Sequence, residues 1–588
     1  RQRRPTREDP ASGVGIGAQS GMRHIALGIC LLAAGPVVAA DLASMAASTA
    51  LSNGQDDPAA VRQVGHLADL PAPEELERRG AVVGRIDVAV DDIFNEQDPR
   101  ENRLLYRLAN DLHLDTRDAT VLAQVLLRPG EPYSIQRAEE TARILRDKRY
   151  LYDAVVEPSS YDVETNTVDV TVRVRDVWSL SPGIGVGRSG GENKTRARIV
   201  DENFLGRGQY VAVGYSSDVD RSGVSFDFRD QNMFQSWWGV DAGYNINSDG
   251  DIINLAVGRP FVSLDSHWGG GFSAVTRDQI TPMYDLGEKT NEFRQNDDYF
   301  AVDGGWSRGL SDGWATRWLA GYRFDRSEFE NADSDADLET VLLPEDRTLS
   351  YPWVGVELIQ DRFETTHNQD QIGRTEDVFL GKSVRLELGW TADAFGGDRS
   401  AGIFSLGGRL GNYVGQRGLT FLEGSWTGRL ESGSATDSLL SGEARYYLRF
   451  NDKNVFTASI DGRHGFDLDL DHQLLLGGDT GLRGYPLRYQ NGDTLALVSV
   501  EERYFTDWFP FRLVRVGAAV FADVGRTWGT APLASEPQGW LTDVGFGLRL
   551  GNARSGLGNV LHMDLAFPLG ASSDISSVQV LLEAHKTF

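Results

Sequence analysis

From Trp178 to the last residue, Phe588, apolar and polar positions alternate in runs of about ten residues, separated by Gly, Asn and Asp turns. Val514, Val516, Ala518, Val520, Ala522 and Val524 share one face; Arg515, Gly517, Ala519, Phe521, Asp523 and Gly525 share the other. Val544, Phe546, Leu548 and Leu550 oppose Asp543, Gly545, Gly547 and Arg549. Leu561, Met563, Leu565 and Phe567 oppose His562, Asp564 and Ala566. The last run sets Val578, Val580, Leu582, Ala584 and Phe588 against Gln579, Glu583 and His585. A period of two predicts strands, each with one apolar and one charged face. Strands this long, with aromatics at their ends, predict an all-β transmembrane antiparallel β-barrel with lipid outside and water inside. The barrel must close, because an open edge in hydrocarbon leaves backbone groups unpaired. Tyr504-Phe505-Thr506-Asp507-Trp508-Phe509-Pro510-Phe511 predicts a tight turn in an interfacial aromatic girdle. About twenty candidate segments can be marked, of which 402–412 and 418–430 read either as barrel strands or as strand pairs within long loops.

Residues 81–177 follow a different pattern. Ile86, Val88 and Val90 alternate, two helical stretches follow near 101–111 and 117–127, and Gly130-Glu131-Pro132-Tyr133 is a turn. Ser134 is placed to cap a helix whose face carries Ile135, Ala138, Ala142 and Leu145. Two strands complete the run, Tyr150 to Val156 and then Val168, Val170, Val172 and Val174. The order strand, helices, strand, strand predicts a small α+β domain ahead of the barrel, which occupies 178–588.

The first eighty residues belong to neither pattern. Met22 to Ala40 has a basic start, a short apolar run and a small-residue end, the anatomy of a secretory signal peptide. Residues 1–21 are expected to be a non-native upstream segment, and 41–80, rich in Ala, Asp and Pro, a linker. The only cysteine, Cys30, falls inside the predicted leader, so no disulfide or thiolate metal site is expected after it.

Composition narrows the function. A net charge of −27 argues against nucleic acid as a partner, since phosphate binding needs a basic face. Mean hydropathy of −0.33 suits a barrel, in which only alternate residues meet lipid. The acidic run Asp333-Ser334-Asp335-Ala336-Asp337 lacks the glycine and closing glutamate of a calcium loop and reads as a solvated loop. Gly185-Val186-Gly187-Arg188-Ser189-Gly190-Gly191 matches both a dinucleotide-binding and a nucleophile-elbow pattern, yet a strand, not a helix, follows it. The nine histidines have no ligand spacing. No enzyme activity, cofactor or metal is expected.

Four motifs carry a resemblance. They are the run from Leu127 to Asp176, Asp201-Glu202-Asn203-Phe204-Leu205-Gly206-Arg207-Gly208, Leu482-Arg483-Gly484-Tyr485, and Phe521-Ala522-Asp523-Val524-Gly525. In this order they resemble the BamA/TamA-type outer-membrane assembly barrels of the bacterial surface antigen family, over roughly residues 81–588. The first run resembles a POTRA domain. The third has Leu482 where the family usually has Val.

The resemblance implies sixteen strands, which is favoured, with twenty kept open. It also implies that Arg483 of an inward-folded loop contacts Asp523 on the lumenal wall. Gly484 would allow the tight turn, Tyr485 would pack against the wall, Gly525 would leave room, Glu501 would join the network, and Phe521 would belong to the same loop lock. Phe588, with Leu582 and Val580, looks like a terminal outer-membrane insertion signal. The implied function is insertion or translocation of unfolded outer-membrane or secreted clients, in the cell outer membrane with the POTRA-like domain in the periplasm. Partners would be those clients, outer-membrane lipid and periplasmic accessory proteins. Two alternatives stand beside it: a two-partner secretion transporter and a passive outer-membrane channel.

Overall fold

The computed structural model describes residues 70–332, 341–529, 539–556, 560–573 and 575–585. The predicted upstream segment, leader and most of the linker, the acidic run from Asp333, and Phe588 lie outside the described residues.

The α+β domain opens with α1 (Pro73–Arg78), which lies within the stretch read as linker. Proline in its first turn, Glu74 and Glu75 near its N-terminus and a fully buried Leu76 explain why a helix forms there. Then come β1 (Val82–Asp91), α2 (Leu104–Leu112), α3 (Asp118–Leu122), α4 (Ile135–Arg146), β2 (Leu151–Asp162) and β3 (Thr167–Asp176). The sheet order is β1-β3-β2, with β1 parallel and β2 antiparallel to β3. Val168, Val170, Val172 and Val174 of the central strand are buried and knit both halves of the core. Ser134 caps α4 by accepting from the Arg137 amide at 3.4 Å, and Ala138, Ala142 and Leu145 pack on the sheet.

Twenty antiparallel strands, from Leu180–Ser189 to Gln579–His585, close the barrel. The count is the upper of the two expectations rather than the favoured sixteen. Ala401–Val414 and Gly418–Glu431 are full members of the ladder, paired with each other and with Lys382–Thr391 and Ser434–Asn451 on either side. Glycines at 402, 407, 408 and 411 dilute the alternation that would have marked the first of them as a wall strand.

The faces separate as the alternation predicts. Val354, Val520 and Phe546 are more than half exposed to the outside, while Asp523, Asp543 and Asp564 are buried in the lumen. No described helix is long and apolar enough to cross a membrane.

The α+β domain packs under one end of the barrel, here the domain end. Asn203 Nδ2 donates to Thr116 Oγ1 at 2.8 Å, and Arg554 pairs with the buried Glu101. Two insertions enter the lumen. One is the segment 467–493, which arrives from the far end between strands Asn454–Phe466 and Thr494–Phe505. The other is a hairpin, Phe363–His367 with Thr375–Phe379, which arrives from the domain end. Among the described residues, one register pair, Leu582 with Arg188, joins the last strand to the first.

Candidate functional site

The far-end insertion turns back on itself around residues 477–489. Gly481 takes the left-handed conformation the turn needs, with φ of 108°. The tight turn expected at Gly484 is therefore displaced by three residues. Gly484 is needed for a different reason. Its amide donates to Asp543 Oδ2 at 2.9 Å, and a Cβ there would lie 2.5 Å from that of Asp543.

The neighbouring Arg483 is the centre of the site. Its Nε and Nη2 bind the two oxygens of Asp523 at 2.7 and 2.9 Å, its Nη1 reaches Glu501 Oε2 at 2.9 Å, and its guanidinium carbon lies 3.3 Å from the Phe521 ring centroid. Asp523 and Asp543 are cross-strand partners, so two adjacent wall aspartates hold two consecutive loop residues. Bidentate geometry makes the Arg483–Asp523 pair both strong and directional. Tyr485 is buried among Leu476, Leu482, Tyr489 and Leu495, and its hydroxyl donates to the Thr542 carbonyl at 3.3 Å. A Cβ at Gly525 would lie 2.8 Å from Leu476, so the glycine makes room for the loop. Phe521 packs with Ala566 and Leu581, which carries the site to the last strand. On the first strand, Ser189 Oγ donates to the Gly478 carbonyl at 2.9 Å. Val580 faces outward and exposed, and Leu582 lies at the seam with Arg188.

Glu501 ties this lock to more of the wall. It accepts from Arg483, Arg503 and Arg549, and Arg549 also pairs with Asp564. The alternation placed Asp543, Arg549 and Asp564 on the lumenal face. The need of every buried charge for a partner was the signal that could have joined them to the lock. The hairpin gave no such signal. Arg503 Nη1 donates to the Gln369 carbonyl at 2.7 Å and lies 3.3 Å from Asp370, on the hairpin's tip. At the hairpin's other side, Arg146 of α4 binds both oxygens of Asp377 at 2.8 and 2.6 Å, and Tyr152 donates to the Gly373 carbonyl at 2.7 Å. A continuous path therefore runs from the α+β domain through Asp377, Asp370, Arg503 and Glu501 to Arg483. The two insertions and the domain border a lumenal cavity of about 1770 Å³, whose lining includes Arg146, Asp377, Arg445, Arg463, Arg483 and Glu501.

The loop's outer part is held by Arg488, bidentate to Asp220 at 2.9 and 2.6 Å, and by His472, whose Nδ1 lies 2.6 Å from Asp437. The His472 side chain stays half exposed, and the partial desolvation it does suffer works against its charge. The Asp437 hydrogen bond and the charges of Asp437 and Asp471 outweigh it and push the imidazole up to about 9. Among the described residues, His113, Asp115 and Asp176 form the one cluster with metal-ligand proximity. Asp176 is already engaged there by the Thr116 amide and hydroxyl, both at 2.7 Å, and anchors a turn.

A model of the Omp85 superfamily domain matches residues 203–579, and a model of the surface antigen variable number repeat, a POTRA unit, matches 113–176. Among solved structures, the chain is similar to BamA from Haemophilus ducreyi lacking POTRA domains 1–3, at 12% identity and a TM-score of 0.37, over 85% of this chain and 84% of that one. It is also similar to CdiB from Acinetobacter baumannii, at 11% identity and a TM-score of 0.41, over 85% and 73% of the two chains. For CdiB from Escherichia coli the figures are 14% and 0.41, over 85% and 76%. No curated protein matches significantly.

Arg483→Ala leaves Asp523 buried without its cation, which should cost about 3–5 kcal/mol. Thermal unfolding of the detergent-solubilised barrel should show a lowered midpoint, partly restored by adding Asp523→Asn.

A raised histidine pKa means that the folded state favours the protonated form. Its contribution is full below the ordinary value of 6.5 and is lost as pH rises through about 9. Corrected for intrinsic rates, amides near His472 should exchange faster at about pH 9.5 than at about pH 6.5, and His472→Gln should erase the difference.

Proposed function

Because this chain belongs to the Omp85 superfamily of outer-membrane β-barrels, we propose that it inserts client polypeptides into the outer membrane or passes them across it, through a barrel that opens at its seam. In this reading the POTRA-type domain stands in the periplasm and receives an extended client segment by strand addition along an outer strand of its sheet. No bond-making chemistry is required of the chain. Clients are unfolded outer-membrane or secreted proteins, delivered directly or by periplasmic accessory proteins.

The observation that carries the proposal is the path from Arg146 to Arg483. It joins the receiving domain to the loop that braces the wall, through a hairpin seated between them. A client that pulls on the domain would disturb the Arg146–Asp377 contact first and the lock behind it. The seam supports the same reading, since Ser189 on one side and Leu581 on the other both touch the lock or its neighbours.

The test uses the full chain in liposomes, offered urea-unfolded outer-membrane barrels. Wild type should accelerate client folding, and a disulfide made from Arg188→Cys and Leu582→Cys should abolish the acceleration until it is reduced. No acceleration, together with steady ion conductance, would sink the insertase reading in favour of a channel. Vectorial passage of a soluble passenger without client insertion would favour a secretion transporter.

Deleting the hairpin tip, residues 368–374, should raise single-channel conductance in planar bilayers more than Arg488→Ala does, because the tip crosses the lumen and Arg488 holds the loop only at its outer edge.

A further inference from the structure

Helix α2 is amphipathic with its faces reversed. At about 100° per residue, Leu104, Leu105, Leu108 and Leu112 fall within an arc of about 100°. All four face away from the protein, at 73%, 73%, 47% and 65% exposure, and Leu114 beyond them is also exposed. The opposite face does the packing. Asn110 exchanges two hydrogen bonds with the backbone of Phe94, at 3.1 and 2.9 Å, and the Tyr106 ring stacks on Phe94 with centroids 4.4 Å apart. A helix in water buries its leucines and exposes its polar face. This one does the reverse, and a contiguous apolar face of that kind marks a contact surface.

Its position says what the surface contacts. The Tyr106 hydroxyl donates to the Phe511 carbonyl at 2.7 Å, in the barrel turn after Thr494–Phe505. Just past the helix, the His113 ring lies 6.2 Å from that of Trp178, at the foot of the first barrel strand. The segment just before the helix is fixed by Arg554, which donates to the Ile93 carbonyl and pairs with the buried Glu101. The helix is thus tied at both ends to the rim of the barrel and runs along it, beneath the strands that form the seam. In the adjoining turn, Trp508 and Phe511 are 65% and 76% exposed. They belong to the aromatic belt where a barrel meets the lipid headgroups.

We propose that α2 is an in-plane membrane anchor, its leucine face seated in the leaflet on the domain side of the barrel and continuous with the barrel's lipid-facing belt. Arg107, near the edge of the stripe, would extend to the phosphates. The anchor would hold the α+β domain flat against the bilayer next to the seam, whatever the client.

The test places one fluorophore on the full chain in lipid nanodiscs. Cys30, the only cysteine, is replaced by Ser, and a nitrobenzoxadiazole label is attached at Leu105→Cys. Val163→Cys, at an exposed turn of the same domain, serves as the aqueous control, and heat-modifiable migration checks that each variant has folded. With no client present, the label at 105 should emit to the blue of the label at 163. It should lose most of its emission to brominated phosphatidylcholine and resist iodide. Three results would each overturn the proposal. Iodide could reach 105 as freely as 163, which leaves the face in water. Protection from iodide could appear only after unfolded barrel polypeptide is added, which gives the face to a client. Protection from iodide without quenching by brominated lipid would give it to another part of the chain.

Discussion

The lumen is organised around one buried cation. Arg483 brings a full charge to a wall residue, Asp523, that is itself out of reach of water, and neither could stay there alone. Satisfying both dictates much of what surrounds them. Glu501 must be shared among three arginines, Asp543 must accept the next amide of the loop, and Gly484 must lack a side chain so that this amide can approach. Gly525 must be small on the facing strand for the same reason. Buried polar groups joined in this way rigidify their surroundings and lose much when any one is removed. Five members of this network, Glu501, Arg503, Asp523, Asp543 and Arg549, lie on three successive strands, the sixteenth to eighteenth of the twenty. The bracing reaches the nineteenth strand through Asp564 and stops one strand short of the seam.

The same network reaches outward through Arg503 to the hairpin at 363–379 and from there to α4. The wall, the loop, the hairpin and the α+β domain then share charges in sequence, and each contact depends on the register of the next. The arrangement has two ends, one in the lumen and one in the α+β domain outside the barrel. The short contact between last and first strands lies beside it.

Alternation alone made the barrel legible. Its period of two sorted lipid-facing from lumenal residues strand by strand, and it placed Asp523, Asp543, Arg549 and Asp564 on the inside. The partner of Asp523 came from the resemblance, because nothing local to Arg483 says where a loop of that length will fold. Strand number was harder to read, since glycine-rich stretches such as 401–414 blur the alternation on which the count rests. The hairpin was illegible. Its strands have five residues each, too few for a period to declare itself, and its seat depends on partners more than a hundred positions away, such as Tyr152 and Arg503. The helical pattern of α2 could be read from its leucines, but the direction in which they face could not. Asn110 and Tyr106 hold that direction through their hydrogen bonds to Phe94 and Phe511.

Twenty strands also have an electrical consequence. Diameter grows roughly in proportion to strand number, so this ring is about a quarter wider than one of sixteen, and open rings of 16–18 strands already carry an aqueous channel. Left empty, it would let ions and small solutes run down their gradients. The two insertions enter from opposite ends and rest on different partners, Asp543 and Asp523 for one and Tyr447 and Arg503 for the other. Both nevertheless reach Glu501, one through Arg483 and the other through Arg503, so withdrawal of either disturbs the seat of the other. The wide ring is thus stoppered from both ends on one shared carboxylate.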